Sequence, residues 1–202
     1  EKDIGQYNTK REIVWASGAC FVVRREAFEK VGGFDEYFFS YAEEVDLCLR
    51  LRQKGYKIYS VPESLVYHYG AYTSNKNLAK KIYFIHRNHL YLILKHYSIW
   101  PYFPLIIFRF LLDGTSIFYY ARQLRFDFVL SVFRAYWEIF HDLPKLARFG
   151  VLSMTGRSLL TNSNVYKGSI VLDYFLLGRK SFDRKVRAYK RYVDITFFQG
   201  LT

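Results

Sequence analysis

Three carboxylates stand close together in the stretch SYAEEVDLCLRLRQKG, residues 40–55: Glu43, Glu44 and Asp46. The leucines and arginines that follow, and the glycine that ends the stretch, predict a helix over about residues 43–54. A carboxylate can take a proton from a hydroxyl group, so one of these acids could be a general base. Acids also stabilise the first turn of any helix, which is the simpler interpretation.

A helical projection, at about 100° per residue, separates the three acids. Glu43 and Asp46 fall on the side of Arg50, and we expect them to face solvent, with Glu43 able to pair with Arg50. Glu44 falls on the apolar side, which is formed by Leu47, Cys48 and Leu51. Burial there favours the protonated form and the helix N-terminus favours the ionised form, and such opposing influences are typical of a candidate base.

Two further residues could bind a ligand. His68 ends a predicted strand and could coordinate a divalent metal ion, although a single histidine at a strand end is more often structural. Arg87 lies in a predicted long helix and could bind a diphosphate with two hydrogen bonds, or lie on the surface. Cys20 and Cys48 lack the close spacing of a zinc site or a disulfide framework.

The elements that must position these residues alternate between strand and helix, which is typical of an α/β fold. We expect strands at about Cys20–Val23, in YKIYSVP (56–62) and in SLVYHYG (64–70). A short helix, REAFEK, ends at two glycines, and a long helix covers about residues 75–98.

Residues 98–202 differ in character from those before them. Their apolar runs are interrupted by arginines, and the longest uncharged stretch, 97–108, is shorter than the roughly 20 residues that span a bilayer. Two amphipathic helices rich in aromatic residues and arginine are expected, which could lie in a membrane interface or pack on the domain's own core. A short apolar helix and a basic run follow them.

The net positive charge of the chain comes entirely from its second part. Residues 1–75 contain 10 Lys/Arg and 11 Asp/Glu, whereas residues 76–202 contain 20 and 7. Basic and aromatic residues together indicate an anionic partner, and we expect an anionic membrane surface. We expect no nucleic acid, because the sequence lacks the features of common RNA-binding modules.

The stretch ASGACFVVRREAFEKVGGFDEYFFSYAEEVDLCLRLRQKGYKIYSVPESLVYHYG, residues 16–70, resembles the second half of family 2 glycosyltransferases, especially bacterial rhamnosyltransferase-like members. Those enzymes typically show Ser-Gly-Ala, then Arg-Arg-x-x-Phe-x-x-x-Gly-Gly-Phe-Asp-Glu, a Glu-Asp-x-Asp-Leu helix and a Tyr-His-x-Gly strand end. The resemblance extends over about residues 14–97. It implies an α/β, partial GT-A fold in residues 1–97, followed by amphipathic, membrane-associating helices in residues 98–202.

The implied reaction is a single inverting displacement at the anomeric carbon of a nucleotide-diphosphate sugar. The second acid of the family's Glu-Asp pair falls on Glu44, which inherits the role of base although it is one methylene longer. Glu43 is the alternative base, and Asp46 supports the helix mouth. His68 would help to hold a divalent cation, Mg²⁺ or Mn²⁺, or the diphosphate, and Arg87 would face the diphosphate.

The resemblance also implies a small-residue turn, Ser17, Gly18 and Ala19, beside the sugar and the acceptor. The family's Asp-x-Asp metal motif is absent from the chain, so we expect these residues to be part of a longer protein and inactive alone. The expected partners are the sugar donor, a glycan or lipid-linked acceptor and the membrane. The expected location is cytoplasmic, peripheral on the inner face of the bacterial cytoplasmic membrane.

Overall fold

The computed structural model of the chain describes residues 5, 7–68, 77–96, 99–148 and 177–178. Within these ranges lie five helices and two short strands: β1 Arg11–Ile13, α1 Arg25–Lys30, α2 Glu43–Gln53, β2 Ile58–Ser60, α3 Leu78–His96, α4 Ile99–Arg122 and α5 Phe126–Arg148. The residues form two compact units. The first includes residues 7–31 and 48–66, and the second includes residues 32–47, 67–68, 77–96 and 99–148.

In the first unit, β1 and β2 pair in antiparallel orientation, with Glu12 opposite Tyr59. Arg52, near the end of α2, donates to the carbonyl oxygen of Ile13 at 2.9 Å and to the Glu12 carboxylate at 3.1 Å. These bonds attach the end of α2 to β1. The helix ends at Gln53, and Gly55, two residues further on, has a φ of 87°, which suits glycine, as the sequence predicts.

Two of the three predicted strands are wrong. Residues 20–23 and 64–68 form no strand within the described residues, and most of their side chains are exposed. Positions 69–70 of the second predicted strand lie outside those residues. Val22 is 97% exposed and Tyr67 is 92% exposed. An apolar, β-branched run becomes a strand only where a neighbouring strand accepts its backbone hydrogen bonds. The third prediction is confirmed by β2, and the helix predictions are confirmed by α1, α2 and α3.

In the second unit, α3 packs against α5 and α4. Tyr120 of α4 and the α5 residues Phe128 and Val132 form a buried cluster, against which Ile82 of α3 packs. The two helices predicted after residue 98 are thus confirmed as α4 and α5. No helix within the described ranges has both the length and the apolarity to cross a bilayer. The predicted apolar helix and basic run further on lie outside the described residues.

The turn between α4 and α5 contains a leucine in a backbone conformation that favours glycine. Leu124 has a φ of 58° and is 75% exposed. The N–H of Leu124 donates to Ala121 and that of Arg125 donates to Tyr120, each at 3.0 Å, which is the usual way of ending a helix before a left-handed residue. A leucine there costs roughly 1–2 kcal/mol relative to glycine.

A buried polar cluster joins the three long helices. Nδ1 of His86 donates to Asp113 of α4 at 2.8 Å, and Arg109 and Tyr136 also bond to Asp113. Burial would raise the pKa of Asp113, but the bond from His86 and the charge of Arg109 outweigh it and hold the pKa at about 2. Burial, with the charge of Arg109, holds the pKa of His89 well below its usual range, so His89 is neutral.

Candidate functional site

The three acids lie at the end of a segment with an unusual backbone. We name this segment, residues 35–46, the acid loop; its last four residues form the first turn of α2. Phe39, Tyr41 and Ala42 have φ values of 55°, 69° and 68°, and Ala42 directly precedes Glu43. Left-handed conformations of this kind cost about 1–3 kcal/mol each for residues other than glycine. They persist only where surrounding contacts hold them, and here helix α3 provides those contacts.

Asn88 of α3 holds the middle of the acid loop. Its side-chain nitrogen lies 2.7 Å, 2.5 Å and 2.7 Å from the carbonyl oxygens of Phe38, Ser40 and Tyr41. The side chain is fully buried, and a buried amide of this kind is stable only where its hydrogen bonds are satisfied. Sequence reasoning missed Asn88. Its signal was an amide in the middle of a long helix, with apolar residues three and four positions away on the same face, Phe84, Ile85, Tyr91 and Leu92.

Asp46 is completely buried at the start of α2, against the end of α3. Its Oδ1 lies 2.8 Å from Nζ of Lys95 and 2.8 Å from Nε2 of His96. Burial would raise the pKa of Asp46, but the bond from His96 and the charge of Lys95 lower it to about 2. The prediction that Asp46 faces solvent is wrong, because a projection of α2 alone cannot show that α3 covers its polar side.

Asp35 fixes the beginning of the acid loop to the same part of α3. Its Oδ2 accepts hydrogen bonds from Lys95 at 2.6 Å and from the Tyr91 hydroxyl at 2.8 Å, and its Oδ1 accepts the N–H of Tyr37 at 2.9 Å. Burial opposes ionisation of Asp35, but the bond and charge of Lys95 lower its pKa overall. Lys95 therefore bridges Asp35 and Asp46, the two ends of the acid loop.

Glu43 and Glu44 are both partly buried. Oε2 of Glu43 is enclosed and has no hydrogen-bond partner among the described residues. The prediction that Glu43 lies in solvent is therefore wrong, whereas the partial burial predicted for Glu44 is confirmed. Since both side chains are partly buried, burial does not distinguish Glu44 from Glu43 as the base.

Arg87 lies behind the acid loop, in contact with Tyr37. Its guanidinium is 4.4 Å from the centre of the Tyr37 ring and donates to the Tyr37 carbonyl oxygen. NH1 of Arg87 also lies 3.5 Å from the carboxylate of Glu138 on α5. Only 6% of Arg87 is exposed. These contacts give it a structural role, and its contact with a diphosphate stays a prediction.

The other predicted site residues are exposed. Ser17, Gly18 and Ala19 form a turn of the first unit, in which Oγ of Ser17 accepts the N–H of Ala19 at 3.2 Å. His68 is exposed and directly precedes residues 69–76, which are not described. Within the described residues no group of three or more His, Cys, Asp or Glu side chains could hold a metal ion. The part of the chain that is described therefore does not fit a complete metal site.

The sequence was compared with known proteins. Residues 1–140 match the family described as glycosyl transferase family group 2. The chain is 37% identical over 107 residues to the N-acetylglucosaminyl-diphospho-decaprenol L-rhamnosyltransferase of Mycobacterium tuberculosis, which covers 53% of this chain and 34% of that protein. It is 38% identical over 71 residues to the rhamnosyltransferase WbbL of Escherichia coli, which covers 35% of this chain and 26% of that protein.

A third relative is the low-salt glycan biosynthesis hexosyltransferase Agl10 of Haloferax volcanii, 32% identical over 54 residues, 27% of this chain and 18% of that protein. The chain thus spans about a third of the length of the curated relatives, or less. No solved structure matches it. The family match includes the acid loop and α3, whose side chains bond to it. The chain belongs to glycosyl transferase family group 2.

Proposed function

We propose that the protein transfers a sugar, with inversion, from a nucleotide-diphosphate sugar to a hydroxyl group of a glycan or lipid-linked acceptor in cell-surface polysaccharide synthesis. Family membership supports glycosyl transfer. The names of two relatives support L-rhamnose as the sugar, and one of them names an acceptor on a polyprenyl diphosphate. The structural observation that carries the proposal is the partly buried acid pair at the end of a strained loop.

In this reaction the acceptor hydroxyl attacks the anomeric carbon, the bond to the nucleotide diphosphate breaks, and a base takes the hydroxyl proton. We assign the base to Glu44, which the family resemblance selects. Glu43 is the alternative, since its buried Oε2 is an acceptor that has no partner among the described residues. Asp46 is not suited to this step, because it is fully buried, bonded to two cationic side chains and has a pKa of about 2.

The substitutions Glu44→Gln and Glu43→Gln test the assignment, since each keeps the size of the side chain and removes its basicity. We expect Glu44→Gln to lower kcat by 100-fold or more in the protein with all of its domains, with little change in binding of the nucleotide diphosphate. Glu43→Gln should lower kcat by less than 10-fold. The reverse order would assign the base to Glu43, and full activity in both variants would refute the acid pair as the source of the base.

The remaining site residues complete the proposal. Residues 1–97 would form the acceptor side of a GT-A fold, with Ser17, Gly18 and Ala19 beside the sugar and Arg87 near the diphosphate. A divalent cation, Mg²⁺ or Mn²⁺, would be bound by other residues with help from His68. The described residues do not by themselves fit a complete metal site.

A row of exposed apolar side chains on α5 supports membrane binding, and we name it the aromatic stripe. Successive members are four, three, four and three residues apart, so they lie on one face of the helix. Each is between 57% and 69% exposed. The exposed Arg134 and Lys145 lie along one edge of it, as does the exposed Asp127. The members are Phe126, Leu130, Phe133, Trp137 and Phe140.

Such a face, with basic residues beside it, fits a helix that lies in the interface of an anionic membrane. We assign residues 98–202 this role, and the protein a peripheral location on the inner face of the bacterial cytoplasmic membrane. The same stripe supports the second candidate function, a membrane-binding module without catalysis. The substitution Glu44→Gln separates the two, because a module without catalysis has no transfer activity to lose.

A further inference from the structure

We infer that Lys95 and His96 of α3 are positioning residues for the proposed reaction: through the buried carboxylate of Asp46, they hold Glu43 and Glu44 where one of them takes the acceptor's proton. The inference rests on the proposed function. Neither residue belongs to the acid motif, and both bond to Asp46 rather than being candidates for the base. The contact that carries it is the pair of 2.8 Å distances from Oδ1 of Asp46 to Nζ of Lys95 and Nε2 of His96.

The position of Asp46 within α2 determines where the two glutamates lie. Glu43 and Asp46 are three residues apart, on neighbouring turns of the same helix. The N–H of Asp46 donates to the carbonyl oxygen of Ala42 at 2.9 Å. Asp46 therefore also closes the first turn of α2. Movement of Asp46 away from α3 would therefore move the whole turn that carries both glutamates.

Lys95 fixes the acid loop at a second point. The same Nζ lies 2.6 Å from Asp35, eleven residues before Asp46 in the chain. Between these two anchors lie the left-handed residues Phe39, Tyr41 and Ala42. Asn88 bonds to the carbonyl oxygen of Tyr41 and to those of the neighbouring Phe38 and Ser40. One face of α3 thus holds the start, the middle and the end of the acid loop.

Stability alone is a weak explanation of this cluster. Removing charges from water costs free energy, and a buried ion pair is often no more stabilising than apolar side chains of the same size. What paired charges provide is a defined geometry, because a carboxylate oxygen must meet both donors at hydrogen-bond distance. A catalytic base needs such definition, since a small displacement of a catalytic group can cost 100-fold in rate.

Turnover of the protein with all of its domains is the first test, with labelled nucleotide-diphosphate L-rhamnose as donor and bacterial membranes as acceptor. We expect His96→Leu to lower kcat at least 10-fold, with the KM for the donor changed less than 2-fold. His96→Gln keeps a donor nitrogen near the position of Nε2 and should restore most of the loss. His141→Leu, a matched control at a side chain that is 74% exposed, should have no effect.

A double-mutant cycle tests whether His96 acts through Asp46. If it does, adding His96→Leu to the Asp46→Asn variant should lower kcat by less than a further 2-fold. Independent, multiplying losses would overturn the inference, as would wild-type kcat in His96→Leu.

Hydrogen exchange of the 202-residue chain distinguishes a failure of this inference from a failure of the proposed function, since it needs no activity. In His96→Leu and in Lys95→Met, amide protons of residues 36–46 should exchange at least 10-fold faster, while those in the middle of α5 keep their rates. Lys95→Arg should exchange as the wild type does. Unchanged exchange in the acid loop, or equal acceleration in α5, would overturn the inference even if the enzyme proves to transfer another sugar.

Discussion

The hydroxyl of Tyr37 donates a hydrogen bond to Asp142, with 3.0 Å between the two oxygens. Tyr37 belongs to the acid loop and Asp142 to α5, so the loop is bonded to the helix that carries the aromatic stripe. Arg87 forms a second connection beside it, since it bonds to Tyr37 and lies 3.5 Å from Glu138 of the same helix.

Replacing Tyr37 by Phe tests the first of these bonds. The change removes the hydroxyl and keeps the ring that lies on Arg87, so we expect a loss of about 1 kcal/mol in the free energy of unfolding, measured with urea at pH 7. Tyr67→Phe, at an exposed ring, is the matched control and should stay within about 0.5 kcal/mol of wild type. Equal stability of the two variants would contradict the role given to the Asp142 bond.

Asn88 offers a sharper test, because its amide is the donor for three carbonyl oxygens. We expect Asn88→Asp to lower the free energy of unfolding by about 3 kcal/mol or more, since it places an acceptor against three acceptors in a buried site. Asn77→Asp is the control. Asn77 caps the start of α3 by accepting the N–H of Lys80, and aspartate caps a helix equally well, so little change is expected. A loss below 1 kcal/mol in Asn88→Asp would show that the loop does not depend on this amide.

Acid should weaken the fold through Asp46. The pKa of Asp46 is lowered from 3.8 in the unfolded chain to about 2 in the fold, so its ionised form stabilises the fold above pH 4. That stabilisation, about 2 kcal/mol, is lost as the pH falls from 4 to 2. The difference in unfolding free energy between wild type and Asp46→Asn should therefore shrink by about 2 kcal/mol from pH 5 to pH 2. Asp113 is present in both proteins, so its contribution to the pH dependence cancels in this difference. A difference in unfolding free energy that stays constant from pH 5 to pH 2 would contradict the prediction.

The aromatic stripe predicts binding to lipid vesicles. The 202-residue chain should sediment with vesicles that contain anionic lipid at 0.1 M salt, and less at 0.5 M salt because charges are screened. The double substitution Phe133→Ser with Trp137→Ser should reduce the bound fraction at least 5-fold, whereas His141→Ala, on the same helix, should leave it unchanged. Equal sedimentation of all three proteins would refute the proposed surface.

A substitution at Leu124 should change stability and vesicle binding in opposite directions. Leu124→Gly removes an exposed apolar side chain at the tip of the α4–α5 turn and relieves its left-handed backbone. We expect a more stable protein, by about 1 kcal/mol, that binds vesicles less well. Unchanged or stronger vesicle binding in Leu124→Gly would show that Leu124 does not contact lipid.

The helices and the acid motif could be predicted from the sequence because their causes are local. Periodic apolar residues and the glycines at positions 32, 33 and 55 set the limits of α1 and α2. The prediction of strands at residues 20–23 and 64–68 failed because a strand depends on a partner elsewhere in the chain.

The candidate site shows the same division between local and distant causes. The acids at positions 43, 44 and 46 were identified, but their environment was not. Asp46 meets Lys95 and His96 across about fifty residues of sequence, and no periodicity of α2 reports which helix will cover its polar side. Asn88 is a similar case, because its importance comes from carbonyl groups that lie fifty residues before it.

Helix α5 is in effect a spacer of fixed thickness. Its inner side holds Tyr37 through Asp142, and its outer side carries the aromatic stripe. A helix with its side chains is about 10 Å across, so a membrane bound to the stripe would lie at a set height below the acid loop. The acceptor would then be selected by the distance of its hydroxyl group from the membrane as well as by its chemical structure. A sugar attached close to its lipid anchor would present its hydroxyl at that height, whereas the far end of a long glycan would have to bend back toward the surface.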